Sequence, residues 1–146
     1  MSLDGDYDED NIFARILRDE IPSIRVFEDD KIVALMDVFP QARGHALVIH
    51  RISRARTLLD AEPEALMDLI VAVQRVTLAI REALQPDGIT VTQFNGAPAG
   101  QTIFHLHFHI IPRWDGVPLG FHGGGQADLG DLAKLAGLII AKLPPA

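Results

Sequence analysis

Apolar positions along the chain change their spacing from segment to segment, and each spacing names an element. Ile12, Phe13, Ile16 and Leu17 recur at helical intervals behind Asp10 or Asn11, either of which can cap a first turn, and Pro22 closes the segment. SIRVFEDD (23–30) and KIVALMDV (31–38) read as two strands joined by a turn at Glu28-Asp29-Asp30. GHALVIH (44–50) is a third, launched from a loop holding Pro40 and Gly44. A long helix follows, with Leu66, Leu69, Ile70, Val73, Thr77, Ile80 and Leu84 on one face, Pro63 near its start and Pro86 and Gly88 past its end. ITVTQFN (89–95) is a fourth strand and NGAPAGQ (95–101) a Gly/Pro loop of hairpin length. HGGGQ (122–126) is a flexible loop, and a helix from about Asp128 to Leu143 closes the chain.

Between these lies IFHLHFHIIPR (103–113), where His105, His107 and His109 alternate with Phe104, Leu106, Phe108 and Ile110. A strict period of two makes this a fifth strand, one face apolar and the other a row of imidazoles. Strands in runs, with helices inserted between them, predict an α+β fold: an antiparallel sheet of about five strands, one long helix and two shorter ones.

Composition adds limits. At 146 residues, 48% hydrophobic and 23% charged, the chain is expected to be one globular domain with room for a core. No apolar run is long enough to cross a bilayer, and MSLDGDYDED is acidic where a secretory signal would be basic, so the expected location is cytoplasmic. The absence of cysteine excludes disulfides and thiolate-bound metals. Of the net charge of −7, five acids, Asp4, Asp6, Asp8, Glu9 and Asp10, fall in residues 1–10, and the remainder holds 15 acids against 13 bases, or −2. Residues 1–10 are therefore expected to be a solvated, disordered tail ahead of a single domain over 11–146. No basic stripe is present, so nucleic acid is not an expected partner.

The imidazole row still needs a chemical reason, because three of the six histidines fall within five residues. A single metal held by all three is geometrically poor: positions i and i+4 on a strand are roughly 13 Å apart at about 3.3 Å per residue, whereas zinc–nitrogen bonds are about 2 Å. A solvent-facing strand would ordinarily carry Lys, Glu, Thr or Ser. Imidazole is, however, neutral, nucleophilic and able to move protons near pH 7, so one histidine can attack phosphorus while neighbours donate to the oxygens that gain charge. Gly100-Gln101-Thr102 offers an anion cradle of backbone N–H groups, an amide and a hydroxyl, and Asn95-Gly96 adds an amide and a tight turn.

The sequence resembles the histidine triad (HIT) family of nucleotide hydrolases and transferases, most closely its bacterial Hint-like branch. His105-Leu106-His107-Phe108-His109-Ile110-Ile111 meets the family's His-X-His-X-His motif with its apolar continuation. IFARILRDEIPSIRVFEDD, MDVFPQARGHALVI and NGAPAGQTIFHLHFHIIPR occur in the family's order and spacing, covering roughly residues 11–114. The resemblance implies a homodimer with a continuous sheet and no cofactor. It implies His107 as the nucleophile that forms a nucleotidyl-histidine, His109 and His45 beside the phosphate oxygens, and His105 as a brace. It implies that Gln101, Thr102 and Asn95 hold phosphate and leaving group, that Asp37 accepts from the ribose hydroxyls, and that Ile12, Phe13, Ile16, Leu35 and Val38 enclose a purine; these apolar residues are equally accounted for by core packing.

One departure stands out. Relatives with a structural zinc use a Cys-X-X-Cys pair, a later histidine and the first triad histidine; here those positions read Asn11, Ala14, Ser53 and His105. No bound zinc and no sensitivity to chelators are expected. His50, His122 and Trp114 receive no role. The expected activity is hydrolysis of purine nucleoside 5′-phosphoramidates or related nucleotidyl conjugates, falling in acid near the ordinary histidine value of about 6.5. A dinucleoside polyphosphate hydrolase, or a nucleotide-binding interaction module with incidental turnover, are the alternatives.

Overall fold

The computed structural model describes residues 3–121 and 125–145. They run α1 (Ile12–Leu17), β1 (Arg25–Glu28), β2 (Ile32–Met36), β3 (Ala46–His50), α2 (Pro63–Leu84), β4 (Gly88–Thr92), β5 (His107–Arg113) and α3 (Leu129–Ile140). The strands make one sheet in the order β1-β2-β3-β5-β4, every neighbouring pair antiparallel. This is the α+β architecture that the spacing of apolar residues predicts.

Local chemistry sets the element ends. Asn11 caps α1, its Oδ1 accepting the Ala14 N–H at 3.0 Å. The helix ends well before Pro22, because the chain turns through Asp19 at φ +60°. The β1–β2 turn closes on Asp29, whose Oδ1 accepts the N–H groups of Lys31 and Ile32 at 2.8 Å each.

β2 and β3 are buried on both faces, which is why they read as unbroken apolar runs. Ile32, Ala34, Met36, Ala46 and Val48 pack with α2 and α3, while Val33, Leu35, Leu47 and Ile49 pack with Phe13 and Ile16 of α1. The face of α2 is rotated from the expected one. Its buried stripe is Leu69, Val73, Val76 and Ile80 with Ala65, Ala72 and Ala79, and Ile70 is 52% exposed. Alanines bring the helix axis close to the sheet, so the side with small residues is the one covered.

β5 pairs with β3 through Ile49–His107, Val48–Phe108, Leu47–His109 and Ala46–Ile110. Phe108 and Ile110 therefore join the core under α2, and His107 and His109 emerge on the α1 side. His105 was expected in the same strand, but it precedes the ladder, and the Leu106 N–H donates to the Ala55 carbonyl at 2.9 Å.

The acidic segment, expected as a solvated tail, makes several contacts with the domain. Arg56 donates to the Leu3 carbonyl at 3.2 Å, Arg18 donates to the Glu9 carbonyl at 2.6 Å, Glu9 is ion-paired with Arg54, and the Tyr7 hydroxyl bonds His105. These contacts tie residues 3–9 to the domain, and all of those residues except Tyr7 remain exposed. His122 falls outside the described residues. No described helix is long and apolar enough to cross a membrane.

Candidate active site

Where the histidine face of β5 meets α1, a cavity of about 170 Å³ opens. Ile12, Phe13 and Ile16 come to it from α1, Leu35 from β2, Asp37 and Val38 from the loop that follows, and Thr102, His107 and His109 from the approach to β5 and the strand itself. The sequence reading named all nine. It missed Ile21, Phe39, Leu47 and Ile103, which share the wall. Leu47 was legible in principle, since it pairs with Leu35 across the β2–β3 ladder and so faces the same side. The volume lies below the roughly 300–1,000 Å³ of clefts that engulf a drug-sized ligand.

Hydrogen-bond partners decide which nitrogen of each histidine holds its proton. His107 Nδ1 lies 2.7 Å from the His105 carbonyl oxygen, which can only accept. Nδ1–H therefore donates, and the neutral ring keeps its lone pair on Nε2. The ring stands edge-on to Phe13, 4.8 Å between centroids, and 5.0 Å from His109.

His45 is oriented from the opposite side. The Gln41 N–H donates to His45 Nδ1 at 3.1 Å, so the proton of neutral His45 sits on Nε2. That nitrogen is 3.0 Å from His109 Nδ1 and 3.4 Å from Asp37 Oδ2. His45 thus donates to His109, whose own proton is left on Nε2, the tautomer suited to donate to an oxyanion. Fully buried His45 stands behind His109 rather than in the cavity wall. Asp37 Oδ1 accepts the Phe39 N–H at 2.8 Å, which fixes the carboxylate at the strand end.

His105 is buried away from the cavity. Burial, with the adjacent His107 adding to it, pushes its pKa down to about 4 against an opposing hydrogen bond to the His50 backbone. Its Nδ1 is 2.8 Å from the Tyr7 hydroxyl.

The structure keeps Asn95 and Gln101 out of the cavity. Gln101 Oε1 accepts the Gly96 N–H at 2.9 Å, and its Nε2 donates to the carbonyls of Arg56 (2.7 Å) and Ile103 (3.0 Å). Asn95 Oδ1 accepts from the Leu58 N–H and from Gln93 Nε2, both at 2.8 Å. Both carboxamides brace the loop. The N–H groups of Gly100 and Gln101 are likewise spent inside it, on the carbonyls of Ala97 and Gly96 at 3.0 and 3.1 Å, because residues 97–99 form a 3-10 turn. Gly96 and Gly100 make that turn possible, with φ of +91° and +109°. Thr102 alone of the expected cradle lines the cavity.

Two metal arrangements can be tested on the donors present. At the zinc positions implied by the resemblance, Ala14 has no donor atom, Asn11 caps α1 and Ser53 Oγ donates to Glu62 at 2.8 Å, so those residues do not fit. Asp37, His45 and His109 place ligand atoms within 4.8 Å of one another. A metal there would have to take His45 Nε2, yet the Gln41 N–H bond to Nδ1 puts the ring's single proton on that nitrogen. The group is built as a hydrogen-bonded relay.

Two of the residues without an expected role, His50 and Trp114, lie among the described residues and make contacts within the fold. His50 Nδ1 accepts the N–H groups of Ile52 and Ser53 at 3.1 and 3.0 Å, and Nε2 donates to Asp68 at 3.0 Å, tying β3 to α2. Trp114 packs against the main core.

Comparison with known proteins places this geometry. A solved structure of a HIT-like protein involved in cell-cycle regulation from Bartonella henselae is 49% identical, with a TM-score of 0.91, over 95% of this chain and 100% of that one. An adenosine 5′-monophosphoramidase of Saccharomyces cerevisiae is 35% identical over 146 aligned residues, covering 98% of this chain and 89% of its own. An adenylylsulfatase of Arabidopsis thaliana is 36% identical over 104 residues, 71% of this chain and 52% of its own. The sequence profile of the HIT domain matches residues 18–116. With that match over most of its length, the chain belongs to the HIT domain family.

Proposed function

We propose that the protein is a nucleotide hydrolase or transferase that acts on purine nucleoside 5′-phosphoramidates or related nucleotidyl conjugates and releases the nucleoside monophosphate. The observation that carries this reading is the 2.7 Å bond from His107 Nδ1 to the His105 carbonyl, which commits the lone pair to Nε2 in a ring lining the cavity. In the first step Nε2 attacks the α-phosphorus, the bond from phosphorus to the leaving amine breaks, and the amine takes a proton from solvent as it leaves. His109 Nε2–H donates to the phosphoryl oxygen that gains charge. In the second step water attacks phosphorus and releases a proton to solvent, the phosphorus–Nε2 bond breaks, and its electron pair returns to Nε2, leaving His107 neutral. The apolar wall takes the base and Asp37 takes the ribose hydroxyls. The named activities of the yeast and Arabidopsis relatives, both on adenosine 5′-phosphoryl compounds, are consistent with this chemistry.

The reading includes a homodimer. Ile70, Val71 and Leu78 of α2 and Val91 of the edge strand β4 are exposed together around an apolar depression, which is the surface that a sheet continued across two copies would cover.

The test pairs turnover of adenosine phosphoramidate with affinity for adenosine monophosphate in His107→Ala and His107→Asn. Turnover is expected to fall by several orders of magnitude while affinity changes little. Turnover kept within about tenfold of the parent, a barrier change of only about 1.4 kcal/mol, would defeat the nucleophile assignment. Dinucleoside polyphosphates and guanosine conjugates assayed alongside separate the substrate classes.

A further inference from the structure

The carbonyl that sets the His107 tautomer belongs to a residue the sheet does not hold. The β3–β5 pairing begins at Ile49–His107, two residues beyond His105. The peptide that carries this carbonyl is held by the Leu106 N–H, which donates to the Ala55 carbonyl at 2.9 Å, and the His105 ring gives it a second anchor. Its Nδ1 lies 2.8 Å from Tyr7 Oη. With its pKa near 4, His105 is neutral at pH 7, and in the Nε2–H tautomer its Nδ1 lone pair accepts the Tyr7 hydroxyl.

Tyr7 is itself clamped. The Arg54 guanidinium lies 5.1 Å from its ring centroid and is ion-paired with Glu9. Gly5 crosses Arg56 so closely that a Cβ would stand 3.1 Å from the guanidinium carbon. Leu3 lies against Gly96, where a Cβ would stand 3.2 Å from Leu3 Cδ2. Leu3, Gly5, Tyr7 and Glu9 each meet the domain, and of residues 3–9 only Tyr7 is half-buried. The segment is a strap tied down at several points, one of which delivers the Tyr7 hydroxyl.

We propose that Tyr7 is a positioning residue for the nucleophile: its hydroxyl holds His105 so that the His105 carbonyl keeps His107 in the Nδ1–H tautomer, with the lone pair on Nε2. This rests on the reading of His107 as nucleophile. The two imidazole tautomers lie close in free energy in water, so the partner of Nδ1 decides between them. A carbonyl that swings away loses that selection.

The test is Tyr7→Phe in the full chain, which removes one oxygen and keeps the ring under Arg54. Nitrogen-15 spectra of histidine-labelled protein read the His107 tautomer directly. The parent is expected to show the Nδ1–H form, and the variant a mixture, with the two ring-nitrogen shifts converging. Turnover of adenosine phosphoramidate is expected to fall roughly tenfold in kcat, the scale of one lost buried hydrogen bond, with KM changed by less than about twofold. A purely structural loss would lower the melting temperature without moving the tautomer. An unchanged His107 spectrum in Tyr7→Phe overturns the proposal whatever kcat does. A parent that turns over no nucleotide conjugate defeats the hydrolase reading instead, and the spectrum still decides the positioning. If Tyr7→Phe does not fold, Arg54→Ala, which loosens the strap without touching His105, is read by the same spectrum and the same criterion.

Discussion

His105 makes the stability of the protein depend on acid in a way that can be worked from its surroundings. Burial holds its folded-state pKa near 4, against about 6.5 for an unburied histidine. Above about pH 6.5 neither state binds the proton and nothing is lost. Between about 6.5 and 4 the unfolded chain binds a proton that the folded chain refuses, so stability falls as pH falls. Below about 4 the folded ring is protonated too, and the loss levels off. The linkage amounts to about 2 kcal/mol at pH 5 and about 3 kcal/mol at pH 4, a large part of a small domain's total of roughly 5–15 kcal/mol.

The perturbation is His105→Gln, which fills similar space and cannot take the proton. Urea unfolding of parent and variant is measured at several pH values from 7.5 down to 4. Contributions from the other histidines are common to both chains and cancel in the difference. The parent is expected to be the more stable at pH 7.5, with the gap closing by about 2–3 kcal/mol as pH reaches 4. Parallel curves over that range would refute the reasoning, because they would mean the buried ring titrates as an exposed one does. A proton NMR titration of the His105 ring in the parent gives the same pKa independently of the variant's fold.

Two further outcomes test the frame around the site. Leu78→Asp puts a charge into the exposed apolar surface of α2 and β4, and is expected to leave a monomer where the parent sediments as a dimer at micromolar concentration; a monomeric parent would remove the dimer from the reading. Gly44→Ala places a methyl 2.4 Å from Leu84 Cδ1 at a residue with φ of +86°, and is expected to cost about 1–3 kcal/mol, read as a lower urea midpoint; an unchanged midpoint would show that the loop before β3 gives way freely.

Much of this was legible in the residues because it depends on spacing. The period of two in FHLHFHI put His107 and His109 on one face, and the helical spacing of Ile12, Phe13 and Ile16 put three apolar side chains opposite them. What spacing could not give was direction at the ends of side chains. Asn95 and Gln101 have the right chemistry and position for a phosphate loop, yet their carboxamides turn inward to backbone groups. Ile70 was ranked as core because a large apolar residue outweighs alanine on any hydropathy scale, whereas close packing favoured the alanine side of α2. In residues 3–9, an average over acids concealed the contacts that Leu3, Tyr7 and Glu9 make with Arg56, His105, Arg18 and Arg54.

The deepest gap concerns protons. His-X-His-X-His states that three imidazoles are close, and it states nothing about which nitrogen of each carries hydrogen. For His107 the partner is near, the His105 carbonyl two residues back, but for the other two it is far away in sequence: the Tyr7 hydroxyl, 98 residues before His105, and His45, 64 residues before His109 and itself set by the Gln41 N–H. On the proposed reading, three chemically identical side chains become a brace, a lone-pair donor and an N–H donor through those partners. The difference among them is then a property of the folded chain, and substitutions at Tyr7 or Gln41 are expected to act on the histidines as substitutions within the motif do.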